Sequence, residues 1–191
     1  MFYIVARSIC GIFLTLVGRW KIEGKENMPP GGGVIVASNH VSYLDPVVVG
    51  CTFDRRVSYL AKEELFKTPV LGWIVRQLGA FPVKRGSGDR GAIRESLKLL
   101  TEGHAFGIFP EGTRSKTGLL QDGKPGAAML AVKAKVPILP IGLKGTKKCR
   151  KIRVKVGKPM YFPELWEEKV SKETLDEITG KIMAEIARLM E

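Results

Sequence analysis

The chain has 191 residues, 45% of them hydrophobic, enough for one α/β domain with a substantial core. Lys and Arg total 31 against 19 Asp and Glu, a net charge of +12, which predicts anionic partners: nucleic acid, anionic lipid surfaces, or phosphorylated small molecules. Aromatic content is ordinary and no RNP-like or zinc-finger pattern accompanies the charge, which argues against nucleic acid. Cys10, Cys51 and Cys149 are odd in number, scattered and in no C-x-x-C pair, so no disulfide is implied and buried or inert thiols in a reducing compartment are expected. His40 and His104 are the only imidazoles and no cysteine lies near either, so no metal is expected.

Residues 1–18 carry Arg7 as their sole charge and read as a helix of about 27 Å, marginal for a hydrocarbon core of about 30 Å. At 100° per residue, Arg7, Ser8, Gly11, Thr15 and Gly18 fall in one arc, interrupted by Ile4 and Leu14. Phe2, Val5, Ile9, Ile12, Phe13, Leu16 and Val17 cover the rest, a pattern suited to a helix lying in a membrane interface. The alternative is a helix packed on the core. No A-x-A-like cleavage site follows it. Residues 1–18 are therefore set apart from a domain spanning 19–191.

Trp20 to Gly24 is a short strand candidate, and Val34-Ile35-Val36-Ala37-Ser38 is a continuous apolar run of the kind that forms a buried parallel strand. Asp45-Pro46 looks like a helix start with Asp as N-cap. Strands are expected at 57–61, 80–83, 105–109 and 138–143, with helices at 69–78, 89–101 and 127–135. The alternation of Ile152-Arg153-Val154-Lys155-Val156 suggests an edge strand with one solvated face. Apolar residues at 175, 178, 182, 186 and 189 make 172–189 an amphipathic closing helix. Strands alternating with helices imply an α/β fold, a mostly parallel central sheet flanked by helices on both faces.

His40 follows the buried 34–38 strand, at the carboxyl edge of the sheet where α/β folds collect reactive groups. A neutral imidazole there can take a proton from an alcohol, with Asp45 fixing its tautomer. By itself an H-x-x-x-x-D spacing is weak, and a surface histidine near a helix-capping aspartate is the competing reading. Glu111-Gly112-Thr113-Arg114 follows the 105–109 strand and offers N–H groups, a hydroxyl and a guanidinium, a means of holding phosphate. A plain turn with solvated charges would look the same. From Lys144 to Lys158 there are eight basic residues and no acid, either a solvated face or a surface for an anionic membrane or an acidic partner.

Four segments together resemble the glycerolipid acyltransferases. Asn39-His40-Val41-Ser42-Tyr43-Leu44-Asp45 is similar to that family's N-H-x-S-x-x-D motif, and Gly79-Ala80-Phe81-Pro82-Val83-Lys84-Arg85 to its second. Phe109-Pro110-Glu111-Gly112-Thr113-Arg114-Ser115 matches the third, and Val136-Pro137-Ile138-Leu139-Pro140-Ile141 resembles the fourth. They occur in order and span most of the chain, which looks most like the branch acting on 1-acyl-sn-glycerol 3-phosphate. The resemblance implies His40 as general base and Asp45 as its partner, with Asn39 and Ser42 bracing the loop. Arg85, Glu111, Gly112, Thr113 and Arg114 would hold the acceptor's phosphate and glycerol, and Pro137 would line the acyl-donor side. It implies no cofactor, a donor that is acyl-CoA or acyl carrier protein, and a lysophosphatidate acceptor. Attachment is expected to be peripheral or monotopic, on the cytoplasmic face of the cell membrane. Acylation of another lysophospholipid or of glycerol 3-phosphate, and a non-catalytic membrane-binding module, are the alternatives.

Overall fold

A computed structural model of the chain describes residues 2–77, 79–83, 90–166 and 170–191. Its centre is a seven-stranded sheet in the order β1-β7-β6-β2-β5-β3-β4. The strands are β1 (Lys21–Glu23), β2 (Val34–Ser38), β3 (Val57–Lys62), β4 (Ala80–Val83), β5 (Ala105–Ile108), β6 (Ile138–Lys144) and β7 (Arg153–Val156). Every adjacent pair is parallel except β6 with β7. The mostly parallel sheet read from the sequence is present.

Helices cover both faces because alternate residues of the central strands are apolar on both sides. Ile35, Ala37, Phe106 and Ile138 pack against α5 (Arg90–Thr101), α6 (Gly126–Ala134) and α7 (Lys172–Leu189). Val34, Val36, Leu139, Ile141 and Leu143 turn the other way, onto α1 (Phe2–Leu16) and α2 (Asp45–Thr52). In α7 the helical spacing of Ile178, Ile182 and Ile186 buries all three, and Ser171 caps the helix by accepting from the Thr174 N–H at 3.2 Å. Two short helices, α3 (Glu63–Lys67) and α4 (Pro69–Gln77), link β3 to β4; α3 is too short to leave a periodic signal.

Two expectations are corrected. The 152–156 strand is not an edge: β1 pairs with it in parallel, Ile22 opposite Val154, and so occupies the edge itself. The alternation reported one solvated face of the sheet, which is independent of position within it. Asp45 is not an N-cap either. The helix begins at Asp45, and its carboxylate turns back toward the preceding loop.

α1 packs on the core along one side and leaves the other exposed. Tyr3, Arg7, Cys10 and Leu14 face inward, and Leu14, an interruption of the polar arc in sequence, is fully buried. The Arg7 guanidinium donates to the Phe53 carbonyl and to Asp54 Oδ1 (2.9 Å), tying α1 to the end of α2. Ile4, Val5, Ile9, Ile12, Phe13, Leu16 and Val17 are all exposed. Fifteen helical residues rise about 22 Å, and no helix among the described residues is long and apolar enough to cross a membrane.

Candidate active site

Parallel pairing of β2 with β5, Ala37 opposite Ile108, delivers the loops that follow both strands to one point on the carboxyl edge. His40 thereby comes level with Glu111. β2 is also the switch point, with β5 on one side and β6 on the other, the place where open α/β sheets form a crevice.

Asn39 extends β2 by imitating a peptide. Its Nδ2 donates to the Leu143 carbonyl (3.0 Å) and its Oδ1 accepts from the Leu143 N–H (2.8 Å), continuing the ladder to β6. The backbone is then free to turn at His40. Asp45, at 0% exposure, gathers the turn onto one oxygen: Oδ2 accepts from the N–H groups of Val41 and Ser42, both at 2.7 Å, and lies 2.9 Å from His40 Nδ1. The Ser42 hydroxyl accepts from the Leu44 N–H at 3.1 Å. A buried carboxylate is stable only when so paired, and the start of α2 adds a favourable dipole. The network assigns the imidazole proton to Nδ1 and leaves the Nε2 lone pair free.

The other loop grips the same residue. Glu111 Oε1 accepts from the His40 N–H at 2.6 Å, and the Ser115 N–H donates to the His40 carbonyl at 2.8 Å. Phe109 stacks on the imidazole, ring centroids 4.0 Å apart and planes 16° from parallel. Tyr59 from β3 lies behind Phe109 at 6.1 Å. A Cβ on Gly107 would sit 2.1 Å from that tyrosine ring, so only glycine leaves it room. Burial of the Tyr59 hydroxyl holds it well above its ordinary pKa, with Tyr3, Cys51 and Asp45 adding to the effect.

The expected site residues divide. His40, Asp45, Asn39 and Ser42 come together, and the loop that carries Gly112, Thr113 and Arg114 closes on them through Glu111 and Ser115. The Arg114 guanidinium lies over the Tyr43 ring, 3.5 Å from its centroid, exposed at the mouth. Gly112 has φ +72°, and Lys124 lays its ammonium 3.1 Å from where a Cβ would stand. Glu111 is placed differently from a phosphate ligand. It is 3% exposed, and its second oxygen accepts from the Gln121 N–H (3.0 Å) and Nε2 (3.3 Å). Pro137 is not at the site. Ile138 pairs with Ile35, so Pro137 opens β6 at the opposite edge, about 20 Å from the level of His40 along the strands. Arg85 lies outside the described residues. His104 precedes β5 on the same far edge, exposed beside Glu102. Tyr59, Gln121 and Lys124 carried no sequence signal, since their roles arise from strand order and loop closure.

Comparisons with known proteins identify the family. The acyltransferase family model matches residues 19–144. A 1-acyl-sn-glycerol-3-phosphate acyltransferase of Bacillus subtilis is 31% identical over 185 residues, covering 93% of this chain and 92% of its own length. A protein of the same description from Streptococcus pneumoniae is 28% identical, covering all of this chain and 74% of its own. The crystal structure of the 1-acyl-sn-glycerophosphate acyltransferase of Thermotoga maritima superposes with a TM-score of 0.71 at 28% identity, over 96% of this chain and 81% of that one. A family model that spans residues 19–144 and a relative matched along nearly its whole length make this chain a member of the acyltransferase family and an enzyme of acyl transfer.

Proposed function

We propose that the enzyme moves a fatty acyl group from a thioester to the free hydroxyl of 1-acylglycerol 3-phosphate, giving phosphatidate. The observation that carries this is the buried Asp45 carboxylate 2.9 Å from His40 Nδ1, with the exposed Arg114 guanidinium over Tyr43 of the same His40–Asp45 turn. The relatives' descriptions supply the acceptor.

Nε2 takes the hydroxyl proton as the oxygen attacks the thioester carbonyl. Asp45 stabilises the imidazolium that forms. Collapse of the tetrahedral intermediate breaks the C–S bond, and the departing thiolate takes up the proton, leaving an ester and a free thiol. Ser42 is not a nucleophile in this scheme: its hydroxyl accepts the Leu44 N–H and supports the turn. Arg114, Thr113 and the Gly112 turn hold the acceptor phosphate, with Lys124 adding a second cation and Arg85 joining on the resemblance alone. Glu111 acts on His40 instead, since a buried carboxylate facing a phosphate would repel it. The carrier is coenzyme A or acyl carrier protein.

The acceptor is amphiphilic, so we place the protein peripherally or monotopically at a membrane surface, on its cytoplasmic face. The exposed apolar side of α1 supports that reading. The test is acyl transfer by purified protein from a radiolabelled thioester to lysophosphatidate, other lysophospholipids and glycerol 3-phosphate. Label appears in phosphatidate. Product only with another acceptor would overturn the assignment.

A further inference from the structure

The chemistry at His40 uses none of the cations that follow β6. The 145–151 loop leaves that strand on the carboxyl edge, where the site opens, and closes on itself. The Arg150 N–H donates to the Gly145 carbonyl at 3.2 Å. Gly145 has φ +78°, and a Cβ there would stand 2.6 Å from the Arg150 carbonyl oxygen and 2.8 Å from that of Lys151. Cys149 and Lys151 are also left-handed, at φ 47° and 50°. Lys147, Lys148, Arg150 and Lys151 consequently line one shallow, open concavity of about 550 Å³.

Two ties hold this loop to the reaction centre. The Lys147 ammonium donates to the Lys116 carbonyl at 2.9 Å, one residue beyond Ser115, which grips the His40 carbonyl. Asn39, next to His40, is bonded to Leu143 just before the loop begins. Lys148, Arg150 and Lys151 are exposed and have no acidic partner among the described residues.

We infer that the 145–151 loop binds the phosphate of the acyl donor's carrier, the phosphopantetheine of coenzyme A or of acyl carrier protein. The inference rests on the proposed thioester donor. Both carriers share a thiol, a long pantetheine arm and a phosphate. A donor whose carbonyl reaches His40 Nε2 must therefore have its phosphate held at a distance along the same edge. Arg114 and Lys124 belong to the other loop and serve the acceptor, leaving 145–151 for the donor. A loop closed on itself gathers four cations at one point, which suits one compact anion.

The test is the full chain carrying Lys148→Glu, Arg150→Glu and Lys151→Glu, with the triple Gln variant as a milder counterpart and thermal unfolding as the check on folding. Binding of coenzyme A is measured at equilibrium, and KM for acyl-CoA, acyl carrier protein thioester, phosphate-free acyl-pantetheine and lysophosphatidate by steady-state kinetics. Coenzyme A Kd and the KM of both phosphorylated donors should rise by about tenfold or more, with a smaller rise in the Gln variant. KM for acyl-pantetheine and for lysophosphatidate should stay the same. Unchanged coenzyme A binding and donor KM overturn the proposal. A rise for the carrier-protein donor alone means a protein surface contact and also overturns it, as does a rise in acceptor KM. Loss of binding to phosphatidylglycerol vesicles with donor KM unchanged assigns the loop to the membrane instead. Coenzyme A binding is read without turnover, so it stands or falls separately from the identity of the acceptor.

Discussion

His40 is held on four sides: Asp45 at Nδ1, Phe109 on the ring face, Glu111 at the N–H and Ser115 at the carbonyl. Replacing it with alanine removes the base and should lower kcat by about 10²–10⁴-fold or more, with circular dichroism unchanged; wild-type turnover by the purified variant would refute the mechanism. Arg114→Ala and Glu111→Gln should then separate. Loss of the guanidinium should raise the acceptor KM, with one charge-assisted contact worth about 1.5–3 kcal/mol. Glu111→Gln should lower kcat at an unaltered acceptor KM, because its amide cannot accept from His40 on one side and from Gln121 on the other without turning an N–H toward a donor. A higher KM with unchanged kcat would place Glu111 on the substrate. Cys51 offers a chemical check on packing. Burial, with Cys10 beside it, pushes its thiol pKa up to about 12, so it should resist iodoacetamide at neutral pH until urea exposes it.

At the scale of elements, two adjacent strand ends build the site and a third backs it. β3, β5 and β2 contribute Tyr59, Phe109 and His40 to one tier of rings. Gly107 in β5 is what lets the tier form. Gly107→Ala should cost about 1–3 kcal/mol as overpacking, since its Cβ would stand 2.1 Å from the Tyr59 ring, which must shift out of the tier. A lowered Tm with reduced kcat at unchanged acceptor KM is the expected result; an unaltered Tm would show that the ring tier yields freely. Pro140 illustrates the same dependence on neighbours. It sits inside β6, where proline ordinarily disrupts pairing, yet its carbonyl accepts from the Gly157 N–H at 2.9 Å, on the side away from β2. No N–H of the central ladder is lost.

At the scale of the whole molecule, α1 is anchored by Leu14 and Arg7 while its outer side stays apolar. Deleting the helix would therefore disturb the core as well as any membrane contact. Ile9→Asp, Ile12→Asp and Leu16→Asp change the outer side alone and should strongly reduce sedimentation with anionic vesicles at an unchanged Tm. Each basic residue near the surface adds on the order of 1 kcal/mol of attraction, a term weakened by salt. Undiminished vesicle binding by the triple variant would show that the apolar side is not the membrane contact.

The sequence by itself determined the alternation of strands and helices, because apolar runs and helical spacing are local. Its four motifs also marked His40, Asp45 and the Arg114 turn. What it left open depended on pairing between distant segments. Register sent Pro137 to the far edge and brought Glu111 beneath His40, and neither follows from position along the chain. The 152–156 alternation showed a solvated face, but only β1 docking beside it decided which strand forms the edge. Leu14 read as a flaw in a polar stripe until the packing of α1 on α2 made it the anchor. Burial and strand order are properties of the assembled core, and they decide which of a motif's residues face substrate and which hold the others in place.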